Sequence, residues 1–207
     1  MLIALIGVDC AGKTTQIRRL KKHYAQQGLL VKSFSLKQKP TVRVVQAIST
    51  RRSGDPIDLQ NGLNGDFQAM AYNVDFLRHY YRNIEPARLA HSDLLLSDRF
   101  TLCYKAYGFA LRVRNQFVRS FLDSLIPEPD LQILMDLDLD LVLERIKTRK
   151  EPRAVDETDV ILSRLISYYR RERRSNRKIL VVDASQTIKA VSNELICIID
   201  HFRRKKS

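Results

Sequence analysis

The chain has no tryptophan and only seven glycines, six prolines and three cysteines in 207 residues. The cysteines, Cys10, Cys103 and Cys197, are far apart and odd in number, which argues against a disulfide framework and for a reducing compartment. No apolar run approaches the length of a membrane span. Residues 1–8 are apolar but lack a basic lead-in and run at once into Asp9, so they read as a strand and not as a signal peptide. A cytoplasmic protein with no membrane partner is expected. His23, His91 and His201 show no ligand spacing, and no zinc pattern, basic recognition helix or RNA-binding signature stands out. Internal repeats and low-complexity segments are missing too. Acidic residues are outnumbered, 23 against 36 lysines and arginines, for a net charge of +13. That excess gathers in 145–153, 164–178 and 203–206. It is read as phosphate handling plus solvated basic faces, and nucleic acid is not an expected partner.

What is present begins with 2–16, LIALIGVDCAGKTTQ. An apolar run at 2–6 reads as a buried parallel strand. Gly7, Val8, Asp9, Cys10, Ala11, Gly12, Lys13 and Thr14 then match G-x-x-x-x-G-K-[ST]. Ile17, Leu20 and Tyr24 follow at helical spacing. The motif therefore sits between a strand and a helix, where backbone N–H groups and the helix N-terminus cradle phosphates, with Thr15 continuing the cradle. Lys13 supplies a compact charge to the β- and γ-phosphates, and the Thr14 hydroxyl suits Mg²⁺. Cys10 lies where a thiol pKa tends to fall, although a small side chain filling the loop is the better reading. Asp9 is expected to face away from the donor phosphates, toward the acceptor.

Apolar strands are predicted at 29–36, 94–97, 131–137 and 179–183. Helices are predicted at 42–52, 66–89 with an interruption near Pro86, 102–125, 138–148 with Asp138 as N-cap, 160–174 and 186–201. Residues 53–65 and 150–158 read as polar loops, the first as a flexible insertion. Strand–helix alternation repeated about five times predicts an α/β fold: three layers, a five-stranded parallel sheet, and helices on both faces. The length suits a single domain over 1–207 with a lid near 149–158.

Asp98 and Arg99 end a buried strand and should emerge beside the phosphate loop. There Asp98 is a metal ligand candidate and Arg99 an acceptor clamp. Arg145, Arg149, Lys150 and Arg153 crowd the second polar loop, with Arg149 and Arg153 chosen as the groups that neutralise a transferred phosphoryl group. Tyr72, His79, Phe100, Tyr104 and Tyr107 are candidates to line an acceptor pocket, although aromatics at helical spacing are more often core.

At this point the chain resembles the thymidylate kinase family of P-loop kinases. GVDCAGKTTQIRRL is similar to that family's phosphate loop and first helix. Asp98-Arg99-Phe100 with Ala106-Tyr107 resembles its Asp-Arg-Tyr and Ala-Tyr motifs. Pro129-Asp130-Leu131, Val182-Asp183-Ala184 and the arginine-bearing 145–156 also match. The resemblance implies ATP and Mg²⁺ as cofactors, dTMP as acceptor and a homodimer formed through the 66–89 helix. It makes Lys13, Asp9, Arg99, Arg149 and Arg153 catalytic, and Lys37, Tyr72, Phe76, Arg99, Phe100 and Tyr107 acceptor-binding. Departures fall on the acceptor side. Lys37-Gln38-Lys39-Pro40-Thr41 replaces an Arg-Glu-Pro-Gly-Gly-Thr pattern. Phe76 stands at the base-reading arginine, while Cys103-Tyr104 and Gly108 replace polar residues. Two alternatives stay open: a related kinase of another nucleotide, nucleoside or hydroxylated metabolite, and a non-catalytic nucleotide- or nucleic-acid-binding protein.

Overall fold

Five apolar segments form β1 (Leu2–Ile6), β2 (Val31–Ser35), β3 (Leu94–Asp98), β4 (Leu131–Asp136) and β5 (Ile179–Asp183). All are parallel, in the order β2-β3-β1-β4-β5. The computed structural model describes residues 1–35, 40–53, 62–149 and 157–206. Every residue of β1 and β3 is buried, so β1 reads as an unbroken apolar run and β3 as one until its last two residues, Ser97 and Asp98, as strands covered on both faces do. At the outer edge, β5 buries only Ile179 and Val182 and leaves Leu180 and Asp183 exposed.

The strand order dictates where the helices go. A right-handed crossover from β1 to β2 moves one way across the sheet, whereas β2 to β3, β3 to β4 and β4 to β5 move the other way. Helices in the two sets therefore lie on opposite faces. On one face, α1 (Lys13–Gln26) packs against the closing helix α9 (Ile188–Lys206). Gln16 Nε2 donates to the Ile188 carbonyl at 3.0 Å, and the Tyr24 hydroxyl donates to Asp200 at 2.9 Å. On the other face lie α3 (Gly62–His79), α5 (Thr101–Ala110) and α8 (Asp159–Ser175), with α5 between α3 and α8. Shorter helices complete the chain: α2 (Pro40–Ser53), α4 (Glu85–Leu89), α6 (Gln116–Ser120) and α7 (Leu139–Thr148).

Boundaries moved where packing outweighed local composition. Helix α3 begins at Gly62, inside the stretch expected to be a loop; residues 54–61 of that stretch lie outside the described residues. Packing of α3 on α2 and α5 outweighs the poor helix propensity of its glycines. The interruption expected near Pro86 is a π-helical turn, Tyr80–Ile84, leading into α4 with Pro86 in its first turn. Asp138 does stand at the N-cap of α7 but makes no capping bond. Its carboxylate is taken by Arg170, at 2.7 Å.

Asp75, 1% exposed, accepts from the backbone N–H groups of Thr41 at 3.2 Å and Val42 at 3.1 Å. A carboxylate from α3 thus satisfies orphan donors at the start of α2 and favours its positive end. Asp75→Ala leaves those donors buried and unpaired, at about 1–3 kcal/mol. Thermal denaturation should show Tm falling by about 2–4 °C per kcal/mol; an unchanged Tm would mean that the cap carries no stability.

Candidate active site

The loop between β1 and α1 is held by two glycines in the left-handed half of backbone space, Gly7 at φ 132° and Gly12 at φ 88°. A Cβ on Gly7 would lie 2.7 Å from the Met135 carbonyl oxygen, so the loop can press against β4 only with glycine there. Cys10 also adopts a positive φ of 62°, unusual for a side-chain-bearing residue. Lys13 is buried and folds back into the loop, donating to the carbonyls of Gly7 at 3.0 Å and Val8 at 2.6 Å. Burial, and then the nearby Arg99 charge, push its ammonium pKa down. Ala11, Thr14 and Thr15 complete the turn into α1.

Strand β3 runs beside β1 in register Leu5 to Asp98, which brings its end to the loop. Thr14 Oγ1 donates to Asp98 Oδ2 at 2.5 Å. One residue on, Arg99 turns back with φ 80° and pairs through Nη2 with Asp9. The Tyr107 hydroxyl donates to the other Asp9 oxygen at 3.0 Å, and its ring lies 5.6 Å from the guanidinium carbon. Burial opposes the charge of Arg99, but the Asp9 carboxylate together with Tyr107, Cys103 and Tyr169 offsets it and holds the guanidinium pKa well above its usual range. Asp9 thus faces away from Lys13's carbonyl partners, toward a wall formed by α3 and α5.

Arg145 in the last turn of α7 and Arg149, the residue just past its end, also approach the loop. Arg145 donates to the Cys10 carbonyl at 3.2 Å and to the Ala184 carbonyl at 2.9 Å, tying the loop to the segment after β5. Arg149 donates to Cys10 Sγ at 3.5 Å and is clasped by both carboxylate oxygens of Glu157, which is 3% exposed. The Glu157 hydrogen bonds raise the Arg149 pKa. Cys10 therefore departs from the low thiol pKa expected of a helix N-terminus: burial pushes it up and outweighs the Arg149 bond and charge.

Tyr72 on α3 stacks on Tyr107, with ring centres 5.4 Å apart. Deeper in the same seam, Phe76 (1% exposed) stacks on Tyr104 at 4.4 Å and meets Phe100 edge-on at 5.5 Å. Phe100 is fully buried and also faces Tyr80, so it acts as a wedge between helices and presents no surface. His79 sits against Phe34 at the far end of α3. Lys37 and Arg153, with Lys150 and most of the expected lid, lie outside the described residues. Two participants carried no decisive signal in the sequence. Arg145 stood among several basic residues and could have been singled out by its one-turn spacing from Arg149. Glu157 is an ordinary acidic residue until the fold closes it on Arg149.

A parallel sheet whose first strand feeds a glycine-rich loop and then a helix is the α/β fold of P-loop NTPases. The family model described as "Thymidylate kinase" matches residues 6–195, and the chain belongs to that family. Similar proteins include a probable thymidylate kinase of Pyrobaculum aerophilum, 30% identical over 71% of this chain and 70% of its own length. The thymidylate kinase of Prochlorococcus marinus (strain MIT 9312) is 28% identical over 93% of this chain and 92% of its own length. A probable thymidylate kinase of Archaeoglobus fulgidus is 26% identical over 100% of this chain and 98% of its own length. The chain is a kinase, and its family phosphorylates nucleotides. Among the described residues no helix is long and apolar enough to cross a membrane.

The raised Cys10 thiol has a direct consequence. At pH 8 iodoacetamide should alkylate Cys10 more slowly than the exposed Cys197, as read by peptide mass mapping. Faster labelling of Cys10 would mean that its thiolate is stabilised despite burial.

Proposed function

We propose that the chain transfers the γ-phosphoryl group of ATP, with Mg²⁺, to a nucleoside monophosphate, with dTMP the first acceptor to test. The observation that carries this is the division of groups around one loop. Thr14 and Asp98 meet on one side, and Asp9, Arg99 and Tyr107 form a linked cluster on the other. A hydroxyl and a carboxylate are hard oxygen ligands, and magnesium bound with phosphates needs only one or two from protein. The loop fits the donor as well: a cradle that admits no Cβ at Gly7 leaves backbone N–H groups free to approach phosphate oxygens.

In this reading Gly7 to Thr15 bind the donor, with Lys13 releasing the loop carbonyls to reach the β- and γ-phosphates. Bound magnesium-nucleotide supplies the transferable group and neutralises part of its charge. Arg99 clamps the acceptor phosphate. One of its nitrogens, Nη1, is buried with no hydrogen-bond partner among the described residues, leaving a donor for an incoming oxygen. Asp9 holds Arg99 and orients Tyr107. Arg149, with Arg153, neutralises charge on the transferred group from the lid side. The active unit is taken as a single domain over 1–207 with its lid near 149–158, working in the cytoplasm as a homodimer.

A second reading changes only the acceptor, and one observation favours it. Phe76 and Tyr104 stack on each other where polar base readers were expected, and the Tyr104 hydroxyl is buried without a partner among the described residues. A site that lacks a polar reader loses most of its power to reject analogues. Tyr104 stays neutral, since burial pushes its pKa up. This wall suits a different ring or a smaller acceptor better than it suits strict thymine readout.

ADP release with ATP, Mg²⁺ and a panel of dTMP, dUMP, other monophosphates, thymidine and water separates the readings. Stimulation by dTMP above all others supports the first, and stimulation by a different acceptor the second. Lys13→Ala should lower turnover on the best acceptor by about 100-fold or more; near-normal turnover would put the donor site elsewhere. Phe76→Arg alone would bury an unpaired charge, so it is combined with Tyr104→Ser to make room. The double variant should raise the dTMP-to-dUMP ratio of kcat/KM, and an unchanged ratio would remove Phe76 from the base-reading position.

A further inference from the structure

Donor and acceptor walls use few of the chain's 36 lysines and arginines. A second concentration lies on the C-terminal half of α8 and the turn into β5. Two recesses meet there. One, of about 480 Å³, runs between Arg173, Arg174 and Arg177 and the β5 residues Ile179, Leu180 and Val181. The other, of about 720 Å³, continues along α8 past Ser163, Ser167, Arg170 and Arg171 toward the start of α7, and shares Arg174 with the first.

The charges in these recesses are not equivalent. Arg170 is spent on Asp136 and Asp138. Arg171 touches Glu172 at 3.4 Å and lies over the rings of Phe109 and Tyr168, at 4.9 and 5.0 Å from their centres. Asp138 and Asp140 are the acidic residues lining the larger recess. Arg173, Arg174, Arg177 and Lys178 are exposed and make no ion pair among the described residues. The C-terminal dipole of α8 favours a cation or two in its last turn, but not four exposed cations together, three of which line a cleft. The outer edge of β5, paired with no other described strand, adds backbone N–H groups to the same cleft.

We propose that this basic cleft along α8 and the β5 edge is a second binding site that takes the phosphate chain of a single-stranded nucleic acid. The features are those such a ligand uses: a positively charged groove that follows a backbone, and a flat guanidinium backed by aromatic rings on which a base stacks. A bilayer instead engages a flat or convex polybasic face flanked by exposed apolar side chains. Here the cations line a recess, and the apolar side chain beside them, Leu180, is 38% exposed but lies within the wall of that recess and does not flank a flat face. Ile179 pairs with Gln132 near the strand end opposite the phosphate loop, so the smaller recess is set apart from that loop. The low expectation of nucleic acid binding from sequence rested on the lack of a motif; the cleft is assembled by the fold instead.

The test is fluorescence anisotropy with labelled oligo(dT) and oligo(rU) of about 20 nucleotides, long enough to exceed a typical single-strand site. Four phosphate contacts should give a slope of about −3 in log K against log salt. Replacing Arg173, Arg174 and Arg177 together by glutamine should cut the slope to about −1 or shallower and weaken binding about tenfold or more at 0.1 M salt. A control with Arg18, Lys21 and Lys22 of α1 replaced by glutamine loses the same charge elsewhere and should bind as the parent does. Circular dichroism and thermal denaturation of each variant report its folding. If the triple variant is unfolded, Arg174→Gln alone decides, with an expected loss of about threefold or more. No binding, equal weakening in the control, or tighter binding to phosphatidylserine vesicles than to either oligonucleotide overturns the proposal. Because the readout is binding, the outcome does not depend on which acceptor the kinase uses.

Discussion

The close approach of Gly7 to the Met135 carbonyl oxygen is the constraint on which the rest of the site depends. With a Cβ 2.7 Å from that oxygen, any other residue would push the loop off the end of β4. Holding the loop there sets its curvature and turns the carbonyls of Gly7 and Val8 toward Lys13. It also leaves Asp9 pointing across the sheet edge to Arg99. The neighbouring strand then completes the site, because parallel pairing fixes Asp98 beside Leu5 and delivers its carboxylate to Thr14. A loop anchored on β4 and a strand registered on β1 make two independent frames of reference. Thr14, Asp98, Asp9 and Arg99 are brought together where the two agree.

Charge is managed differently on the two sides of that loop. Toward the acceptor, Asp9 and Arg99 neutralise each other in a part-buried pair, with Tyr107 filling the remaining carboxylate oxygen. Such a pair is costly to desolvate, and loss of either member would strand a charge, so it serves geometry more than stability. On the α7 side, Arg145 is spent on two backbone carbonyls and Arg149 on Glu157. Arg145 works as a brace between the loop and the last strand. Arg149 is aimed at the loop by a buried carboxylate whose second role is to open the segment that enters α8.

The aromatic seam between α3 and α5 joins residues that are far apart in the chain. Phe76 and Tyr104 lie on different helices yet stack face to face at 4.4 Å, and Phe100 meets Phe76 edge-on. The result is a buried, neutral patch that retains the Tyr104 hydroxyl.

Much of this was legible beforehand. Strands covered on both faces must be apolar throughout, and a phosphate loop needs its glycines, lysine and threonine at set spacing; hence the five strands, the loop and the strand-end Asp98-Arg99 could be read in order along the chain. Local chemistry could not reveal the partners. Nothing near Glu157 announces Arg149, nothing near Asp138 says that Arg170 will take its carboxylate from the helix cap, and the helical start of α3 at Gly62 runs against composition. Neither could it reveal that burial would raise the Cys10 thiol, since desolvation is a property of what surrounds a group and not of its neighbours in sequence. The sequence by itself determined the strand–helix order and the glycine–lysine–threonine loop motif, because both rest on residues a few positions apart. Only the tertiary structure decided which charges meet, which aromatics stack and where the surplus arginines gather, because those pairings join residues that only the packed sheet and helices bring together.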